Sequence, residues 1–369
     1  MKLLFTGDVN FRGKDYLTLE ESKSIISQIQ SVLDSVDFRI VNLECPFGNI
    51  NKYKPILKAG PNLICSERNL PFLKAFNTDA VTLANNHIGD YGECAVKNTF
   101  SVLEENNILF AGAGENINAA YNACRLSKSG INVSLISVCE NEFGMATERN
   151  YGSAGYNPRL LLKQIQIEKE VSDYIIVVFH GGNEYNPLPN PDTVDRYRFI
   201  CDMGADAVIG GHTHCPQGYE IYNGKPIVYS MGNFLFKSRS ERDQKDSWYY
   251  GYISIIEITD TITLKTVPYK FNKDVTDIVL LGSEMEEYIK KISEIIGDPV
   301  LLKKYFRGWA WLHQWVPSLS EGNYNAFDLA KCEAHHSQMK EILEIYAEKD
   351  FENAKYWAEE VKKLQIMPV

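Results

Sequence analysis

Short apolar runs alternate with helix-length amphipathic segments along the chain up to about residue 280. The run Tyr174–Phe179 is continuously apolar, which is typical of a strand that is covered on both faces. The segment Tyr91–Glu105 instead repeats its apolar residues at the helical period. This alternation predicts an α/β fold in which helices flank a largely parallel or mixed sheet.

The predicted elements follow one another closely. The predicted strands are Leu3–Phe5, Phe38–Leu43, Ala80–Leu83, Ile108–Phe110, Val133–Val138, Tyr174–Phe179, Ala207–Ile209 and Ile227–Tyr229, followed by a hairpin of Tyr249–Ile258 and Thr261–Phe271. The predicted helices between them include Leu19–Leu33, Glu67–Phe76, Tyr91–Glu105, Pro158–Glu170 and Thr193–Met203.

The sequence changes character from about residue 283 onward. Glu284–Ile296 and Phe327–Leu364 have helical periodicity and are rich in Glu, Lys, Ala and Leu. We therefore expect an α/β domain at residues 1–280 and a helical C-terminal extension at residues 281–369 that packs on it. Three tryptophans in the extension favour such packing, with stacking over a binding site as the alternative interpretation: Trp309, Trp311 and Trp315.

Charge and hydropathy exclude several classes of protein. The 369 residues carry a formal net charge of -10 and contain no Lys/Arg-rich block, so nucleic-acid binding is disfavoured. No stretch approaches the roughly 20 consecutive apolar residues of a membrane helix. The N-terminal sequence MKLLFTGD has neither a long apolar segment nor a small-residue cleavage site. We expect a cytoplasmic protein without signal peptide or membrane anchor, and the pattern indicates no particular oligomeric state.

Several of the apolar runs are followed immediately by polar residues of types that can bind metal ions. Five segments show this arrangement: FTGDVN, VNLECP, VTLANNHIGDYG, VVFHGGNEY and AVIGGHTHCPQ. In an open α/β sheet, the loops after the strand carboxyl ends form the binding crevice. Side chains that are far apart in sequence are therefore expected to face one cavity: Asp8, Glu44, Asn85, Asn86, His87, His180, His212 and His214.

Each of these segments alone also has a structural interpretation. Asp8 could cap the next element, and His180 could be a hydrogen-bonded histidine of the core. The pair His212 and His214 in a Gly-rich loop is more specific, because neutral imidazole is a good ligand for Zn²⁺, Mn²⁺ or Fe²⁺. Taken together, the segments favour one metal-binding site.

The order of these residues resembles that of the calcineurin-like metallophosphoesterase superfamily. Within it, six motifs are similar to the CapA-type capsule-synthesis proteins of poly-γ-glutamate biosynthesis: TGDVNFRG, NLECPF, LANNHIGDYG, HGGNEY, GGHTHCPQ and YSMGNFLF. The resemblance covers about residues 1 to 240. It implies layered β-sheets flanked by helices, with the helical C-terminal extension added to them.

The resemblance also implies roles for individual residues. Asp8 and His214 would hold one divalent ion, and Asn86, His180 and His212 a second, with Glu44 between the two. His87 would be the acid that protonates a leaving oxygen, oriented by Asp90. The expected cofactor is one or two ions of Mn, Zn or Fe.

The chain departs from the superfamily pattern at three positions. Asn10 stands in place of a histidine ligand, Glu44 in place of the bridging aspartate, and Asn85 where glycine is frequent. Five residues are candidates for substrate binding, with surface, turn or ligand-orienting roles as alternatives: Asn10, Arg12, Asn85, Glu184 and Gln217.

Two functions are compatible with these observations. The first is a metal-dependent hydrolase that acts on a phosphoester or an amide of a surface polymer or its small-molecule precursor. The second is a non-catalytic accessory protein of capsule assembly that binds polymer or partner through a degenerate metal site. Asn10 and the helical extension motivate the second hypothesis.

Overall fold

The computed structural model describes residues 1–11, 17–238, 241–313 and 331–368. Two predicted positions, Arg12 and Trp315, lie outside the described residues. The strands are β1 (Lys2–Asn10), β2 (Phe38–Leu43), β3 (Ala80–Thr82), β4 (Leu109–Ala111), β5 (Ala113–Gly114), β6 (Cys124–Lys128), β7 (Ile131–Cys139), β8 (Gly152–Ser153), β9 (Tyr174–His180), β10 (Ala207–Gly211), β11 (Tyr219–Tyr222), β12 (Lys225–Val228), β13 (Asn233–Phe236), β14 (Tyr250–Ile258), β15 (Ile262–Phe271) and β16 (Ile278–Leu280).

The described helices flank these strands and follow them. They are α1 (Leu19–Ile26), α2 (Gln30–Asp34), α3 (Leu70–Ala75), α4 (Gly92–Glu105), α5 (Ile117–Ala120), α6 (Pro158–Lys169), α7 (Pro191–Met203), α8 (Ser283–Ile296), α9 (Pro299–Leu312), α10 (Glu333–Glu348) and α11 (Phe351–Leu364). None of the helices in this part of the chain is long and apolar enough to cross a membrane.

Two mixed sheets form the layers of the fold. The first has the order β16-β15-β14-β1-β2-β3-β4, with β13 also paired to β1, and β1 to β4 run parallel. The second has the order β11-β12-β10-β9-β7-β6, and its inner strands β7, β9, β10 and β12 run parallel. The α/β fold with layered sheets and helices is therefore confirmed.

The parallel strands position the candidate residues. Asp8 lies in β1, Glu44 follows β2, and Asn86 follows β3. In the second sheet His180 ends β9, and His212 directly follows β10. Because parallel strands end at the same edge of a sheet, both groups are placed where the strand ends of the two layers meet.

The structure corrects two predicted helices. Leu19–Leu33 is interrupted by a 3-10 turn at Ser27–Ile29 between α1 and α2. The described part of Phe327–Leu364 is two helices, because Lys349 adopts the left-handed conformation with φ of 56° and ends α10. A lysine carries no sequence signal for such an end, unlike the glycine usual at this position.

Hydrogen bonds connect the helices of the extension to one another and to the α/β layers. The Tyr288 hydroxyl in α8 donates to the Leu364 carbonyl at 2.8 Å, which ties the first helix of the extension to the last. The Gln365 amide donates to the Tyr185 carbonyl at 3.1 Å, in the loop after β9. The division into domains 1–280 and 281–369 stays a prediction; residue 280 ends β16, immediately before α8.

We predict that Gly7→Ala destabilises the protein, because a Cβ at Gly7 would lie 1.9 Å from the Gly232 carbonyl oxygen. That oxygen accepts a hydrogen bond from the Asp8 backbone N–H at 3.0 Å, so a shift of β1 that relieved the clash would break this hydrogen bond. The expected loss is about 1–3 kcal/mol in the free energy of unfolding, measured by urea denaturation.

The matched control is Gly282→Ala, since a Cβ at Gly282 meets no atom within 4 Å. Its free energy of unfolding should stay within about 0.5 kcal/mol of the wild-type value. Equal stability of the two variants would show that β1 and β13 are not packed as described.

Candidate metal centre

Two groups of buried side chains share Glu44. In the first, Asp8, Glu44 and His214 offer ligand atoms that all lie within 4.8 Å of one another. In the second, Glu44, His180 and His212 do the same. The Asn86 Oδ1 atom lies 3.3 Å from His180 Nε2 and extends the second group. The sequence-predicted ligands are thus brought together in the arrangement expected for two neighbouring ions, although their role as ligands stays a prediction.

The Glu44 carboxylate is completely buried among nitrogen atoms that do not hydrogen-bond to it. Its Oε1 lies 3.7 Å from His180 Nε2, 3.8 Å from His87 Nε2 and 3.9 Å from His214 Nε2. Neither carboxylate oxygen has a hydrogen-bond partner among the described residues. Burial, and then the negative charge of Asp8, raise the pKa of Glu44 well above its ordinary value.

Asp8 is held in place by two hydrogen bonds. Its Oδ1 accepts from Asn42 Nδ2 at 2.5 Å, and its Oδ2 accepts from the His212 backbone N–H at 3.0 Å. Burial raises the pKa of Asp8, whereas the charge of His214 opposes that rise. The same Asn42 amide lies 3.1 Å from His180 Nδ1. Asn42 therefore fixes one residue of each group.

The histidines are oriented by contacts on the side away from Glu44. His214 Nδ1 lies 2.9 Å from Asn233 Oδ1, so its Nε2 faces Glu44. Burial, and then the charges of His212 and His214, lower the pKa of His180 well below its ordinary value. A neutral imidazole is the form that binds metal ions, so His180 is ready to act as a ligand.

The loop after β10 has an unusual backbone. His212 and His214 have φ values of 91° and 56°, a region that side-chain-bearing residues adopt rarely and at an energetic cost. This conformation turns both imidazoles toward the same carboxylate. Strain of this kind persists where the surrounding structure requires it, frequently at functional sites.

His87 forms a buried array with two charged partners. Its Nδ1 lies 2.7 Å from Asp90 Oδ2, and the Lys58 Nζ binds Asp90 Oδ1 at 2.5 Å. Lys58 Nζ also lies 3.1 Å from His87 Nδ1. Burial lowers the pKa of His87, and the charge of Asp90 opposes this effect. The array leaves His87 Nε2 facing Glu44.

The residues predicted to bind substrate are placed differently from one another. Glu184 lines the pocket and is exposed there. Asn10, Asn85 and Gln217 are buried, and their amides donate to the backbone carbonyls of Glu44 at 3.1 Å, of Leu43 at 2.9 Å and of Asn186 at 2.9 Å. These three amides hold loops around the centre and do not line the pocket. Arg12 lies outside the described residues.

A pocket of about 460 Å³ opens over the centre. Asn86, His87, His212 and His214 form its floor. Its walls carry aromatic and cationic side chains, among them Tyr185, Trp248, Trp309, Lys237 and Arg242. Arg242 lies 4.8 Å above the Trp248 ring and 4.9 Å from that of Tyr185. Such a volume is typical of a small-molecule site.

Comparison with known protein families identifies a match over the part of the chain that contains these residues. Residues 2–238 match the family model described as "Bacterial capsule synthesis protein PGA_cap", which is more than half of the chain. The chain belongs to this capsule synthesis family. All the predicted ligands of this PGA_cap member lie within the matched residues, whereas the helical extension lies beyond them.

Individual proteins are also similar to parts of the chain. The chain is 31% identical over 236 residues to "Capsule biosynthesis protein CapA" of Bacillus anthracis, covering 62% of this chain and 55% of that protein. It is 29% identical over 238 residues to "PGA biosynthesis protein CapA" of Bacillus subtilis (strain 168), covering 63% of this chain and 62% of that protein. The chain thus spans less than two thirds of the length of these two relatives. A crystal structure of a novel phosphatase of Mycoplasma pneumoniae aligns with a TM-score of 0.43 at 15% identity, covering 76% of this chain and 90% of the phosphatase chain.

Sequence reasoning missed several residues that contact the candidate site. Lys58, Asn42 and Glu142 all touch predicted site residues. Glu142 follows β7 as His180 ends β9, so the same strand-end position could have identified it. Lys58 lies in a loop far from any strand end, and no spacing in the sequence indicates it.

We predict that Glu44→Gln stabilises the metal-free protein increasingly as pH rises. The raised pKa of Glu44 means that its contribution to stability is fully present below its ordinary value of 4.5 and is lost as pH increases through the raised pKa. The glutamine does not titrate, so the variant should exceed wild type by about 1–3 kcal/mol at pH 8 and by little at pH 4, measured by urea denaturation in chelator.

Glu287→Gln is the control, because Glu287 is exposed in α8. It should change the free energy of unfolding by less than about 0.5 kcal/mol at both pH values. A Glu44→Gln variant whose stability relative to wild type is independent of pH would contradict the burial described for this carboxylate.

Proposed function

We propose that this protein is a metal-dependent hydrolase that acts on a phosphoester or an amide bond in capsule or poly-γ-glutamate synthesis. The single observation that carries the proposal is the Glu44 carboxylate, which is buried between two groups of side chains that could hold a metal ion and accepts no hydrogen bond from the described residues. The family of the chain gives the biological setting. The substrate and the bond cleaved belong to the proposal.

The donor atoms suit divalent ions of intermediate softness. Asp8 and His214 would hold one ion, and Asn86, His180 and His212 the other, with Glu44 shared between them. Carboxylate, amide and imidazole ligands in this combination fit Mn²⁺, Zn²⁺ or Fe²⁺. When bound, such ions supply Lewis acidity and water activation near neutral pH.

His87 is placed to donate a proton to a leaving group. Its Nε2 faces Glu44 at 3.8 Å, and Asp90 holds its Nδ1 at 2.7 Å. A carboxylate on Nδ1 fixes the ring orientation and stabilises the imidazolium form. Lys58 neutralises Asp90 at 2.5 Å and thereby moderates that stabilisation. In this proposal Asp90 and Lys58 are positioning residues, and His87 is the acid.

The pocket would bind the substrate next to this acid. Aromatic walls at Tyr185, Trp248 and Trp309 provide apolar contact, and Lys237 and Arg242 provide positive charge. Glu184 adds a carboxylate at the pocket surface. Both a precursor and a short part of an anionic polymer are compatible with a pocket of about 460 Å³. Location in the cytoplasm and the absence of nucleic-acid binding remain predictions.

One observation favours a non-catalytic alternative. The Asn10 amide donates to the Glu44 carbonyl at 3.1 Å, where the superfamily has a histidine ligand. The first ion is therefore left with few protein ligands, and weak binding would make the protein an accessory factor that recognises polymer or partner. Metal content separates the alternatives, because an accessory protein with a degenerate site would hold fewer than two ions.

We predict that protein loaded with Mn²⁺ or Zn²⁺ hydrolyses an aryl phosphate or a γ-glutamyl amide. His87→Ala should reduce kcat by about 10²–10⁴-fold, because it removes the proton donor while leaving the ligands in place. Steady-state assays at matched metal content measure the effect, and chelation of the ions should abolish activity in wild type.

His336→Ala serves as the matched control, since His336 is an exposed histidine of α10. Its kcat should equal that of wild type. Activity that survives both chelation and His87→Ala would exclude the hydrolase proposal. Inactive protein that holds fewer than two ions under metal-replete conditions would favour the accessory role.

A further inference from the structure

Glu142 contacts two of the residues assigned to the second ion. It follows β7 at the same sheet edge as the ligands, and its side chain is 7% exposed. Its Oε2 accepts a hydrogen bond from Asn86 Nδ2 at 2.9 Å. Its Oε1 lies 3.5 Å from His212 Nε2. Neither contact involves Asp8 or His214, the residues assigned to the first ion.

These contacts determine which atoms of the two ligands remain available. Because the Asn86 NH₂ group donates to Glu142, its Oδ1 faces the opposite way and lies 3.3 Å from His180 Nε2. Because His212 Nε2 faces Glu142, its Nδ1 faces the centre, 3.2 Å from His180 Nε2. A carboxylate on the far nitrogen of a histidine ligand fixes its tautomer and increases its basicity.

We propose that Glu142 is a positioning residue for the second ion and that the helical extension holds it in place through Cys332. The proposal rests on the proposed metal centre and concerns residues to which the sequence assigned no role. The Cys332 thiol donates to Glu142 Oε1 at 3.3 Å and is itself buried. The same carboxylate oxygen thus accepts the hydrogen bond from Cys332 in the extension and faces His212.

The start of α10 is anchored beside this contact. Arg196 Nη2 pairs with Glu333 Oε2 at 2.8 Å, and the Asn141 amide donates to Glu333 Oε1 at 2.7 Å. The Asn183 amide donates to the Ala334 carbonyl at 3.0 Å. Three side chains of the α/β layers therefore hold the segment that presents Cys332. The family match ends at residue 238, so this control of the site belongs to the extension of this chain.

A third ion is the competing interpretation of the same residues. Glu140, Glu142 and Cys332 offer ligand atoms within 4.8 Å of one another. However, Arg196 Nη1 binds Glu140 Oε1 at 2.9 Å and already supplies a positive charge there. Burial raises the pKa of the Cys332 thiol well above its ordinary value, which favours the neutral donor. The geometry therefore favours a hydrogen-bonded support over a further metal site.

The test is titration of the full-length, metal-free protein with Mn²⁺ alone, followed by calorimetry and by electron paramagnetic resonance. Wild type should bind two ions and show the spectrum of a coupled pair. Glu142→Gln should bind the second ion about 10–100-fold more weakly and show the spectrum of an isolated ion at low Mn²⁺. Retention of the first ion with its wild-type affinity shows that the variant is folded.

Variants of Cys332 test the role of the extension. Cys332→Ala should lower the affinity for the second ion by about threefold to tenfold. This effect is smaller than that of Glu142→Gln because a thiol is a weak donor. Cys332→Ser should restore much of the affinity, since a hydroxyl can donate to Glu142. Cys201→Ala is the matched control, because Cys201 is an equally buried cysteine in α7, and it should leave both affinities unchanged.

Three results would overturn the inference. Wild type that binds two ions while Glu142→Gln binds both with unchanged affinity contradicts it without affecting the proposed function. Loss of a third ion in Cys332→Ala would assign Cys332 as a ligand. Wild-type protein that binds no Mn²⁺ would remove both the inference and the metal-dependent function.

Discussion

Two carboxylates, Asp8 and Glu44, are buried close to one another at the point where the strand ends of two sheets meet. Asp8 is compensated by donors from Asn42 and the His212 backbone, but Glu44 receives no hydrogen bond from any described residue. An ionised group in such a place is costly unless it is paired with a cation. Protonation of Glu44 or binding of divalent ions can both relieve that cost, and the surrounding imidazoles and amide oxygen make the second solution chemically specific.

The rest of the fold is arranged around this constraint. Five of the parallel strands, β1, β2, β3, β9 and β10, carry predicted ligands at or just beyond their ends. The histidines after β10 adopt positive φ values and face the same carboxylate. The buried amides of Asn10, Asn85 and Gln217 donate to backbone carbonyls and hold loops around the candidate centre. Amides suit this role because they provide donors without adding charge to a centre that already contains two buried acids.

The sequence predicted the convergence of the ligands for a general reason. Polar residues directly after apolar strands lie at one edge of a parallel sheet, so Asp8, Glu44, Asn86, His180 and His212 could be assigned to one place from local pattern alone. Side chains that reach the site from elsewhere have no such signal. Lys58 comes from an irregular loop, and Cys332 comes from an extension whose docking depends on tertiary contacts with Arg196, Asn141 and Asn183. For the same reason the end of α10 at Lys349 was not foreseen.

The helical extension also contributes side chains to the pocket. Trp309 and His335 line it together with residues of the α/β layers, so the pocket surface is built from both parts of the chain. In the proposed function, Glu44 lies between two ions. Anomalous X-ray scattering from a crystal grown with Mn²⁺ tests it most directly. We expect two peaks about 3.5–4 Å apart beside the Glu44 carboxylate. Absence of any peak at Glu44, or peaks only elsewhere on the protein, would contradict it.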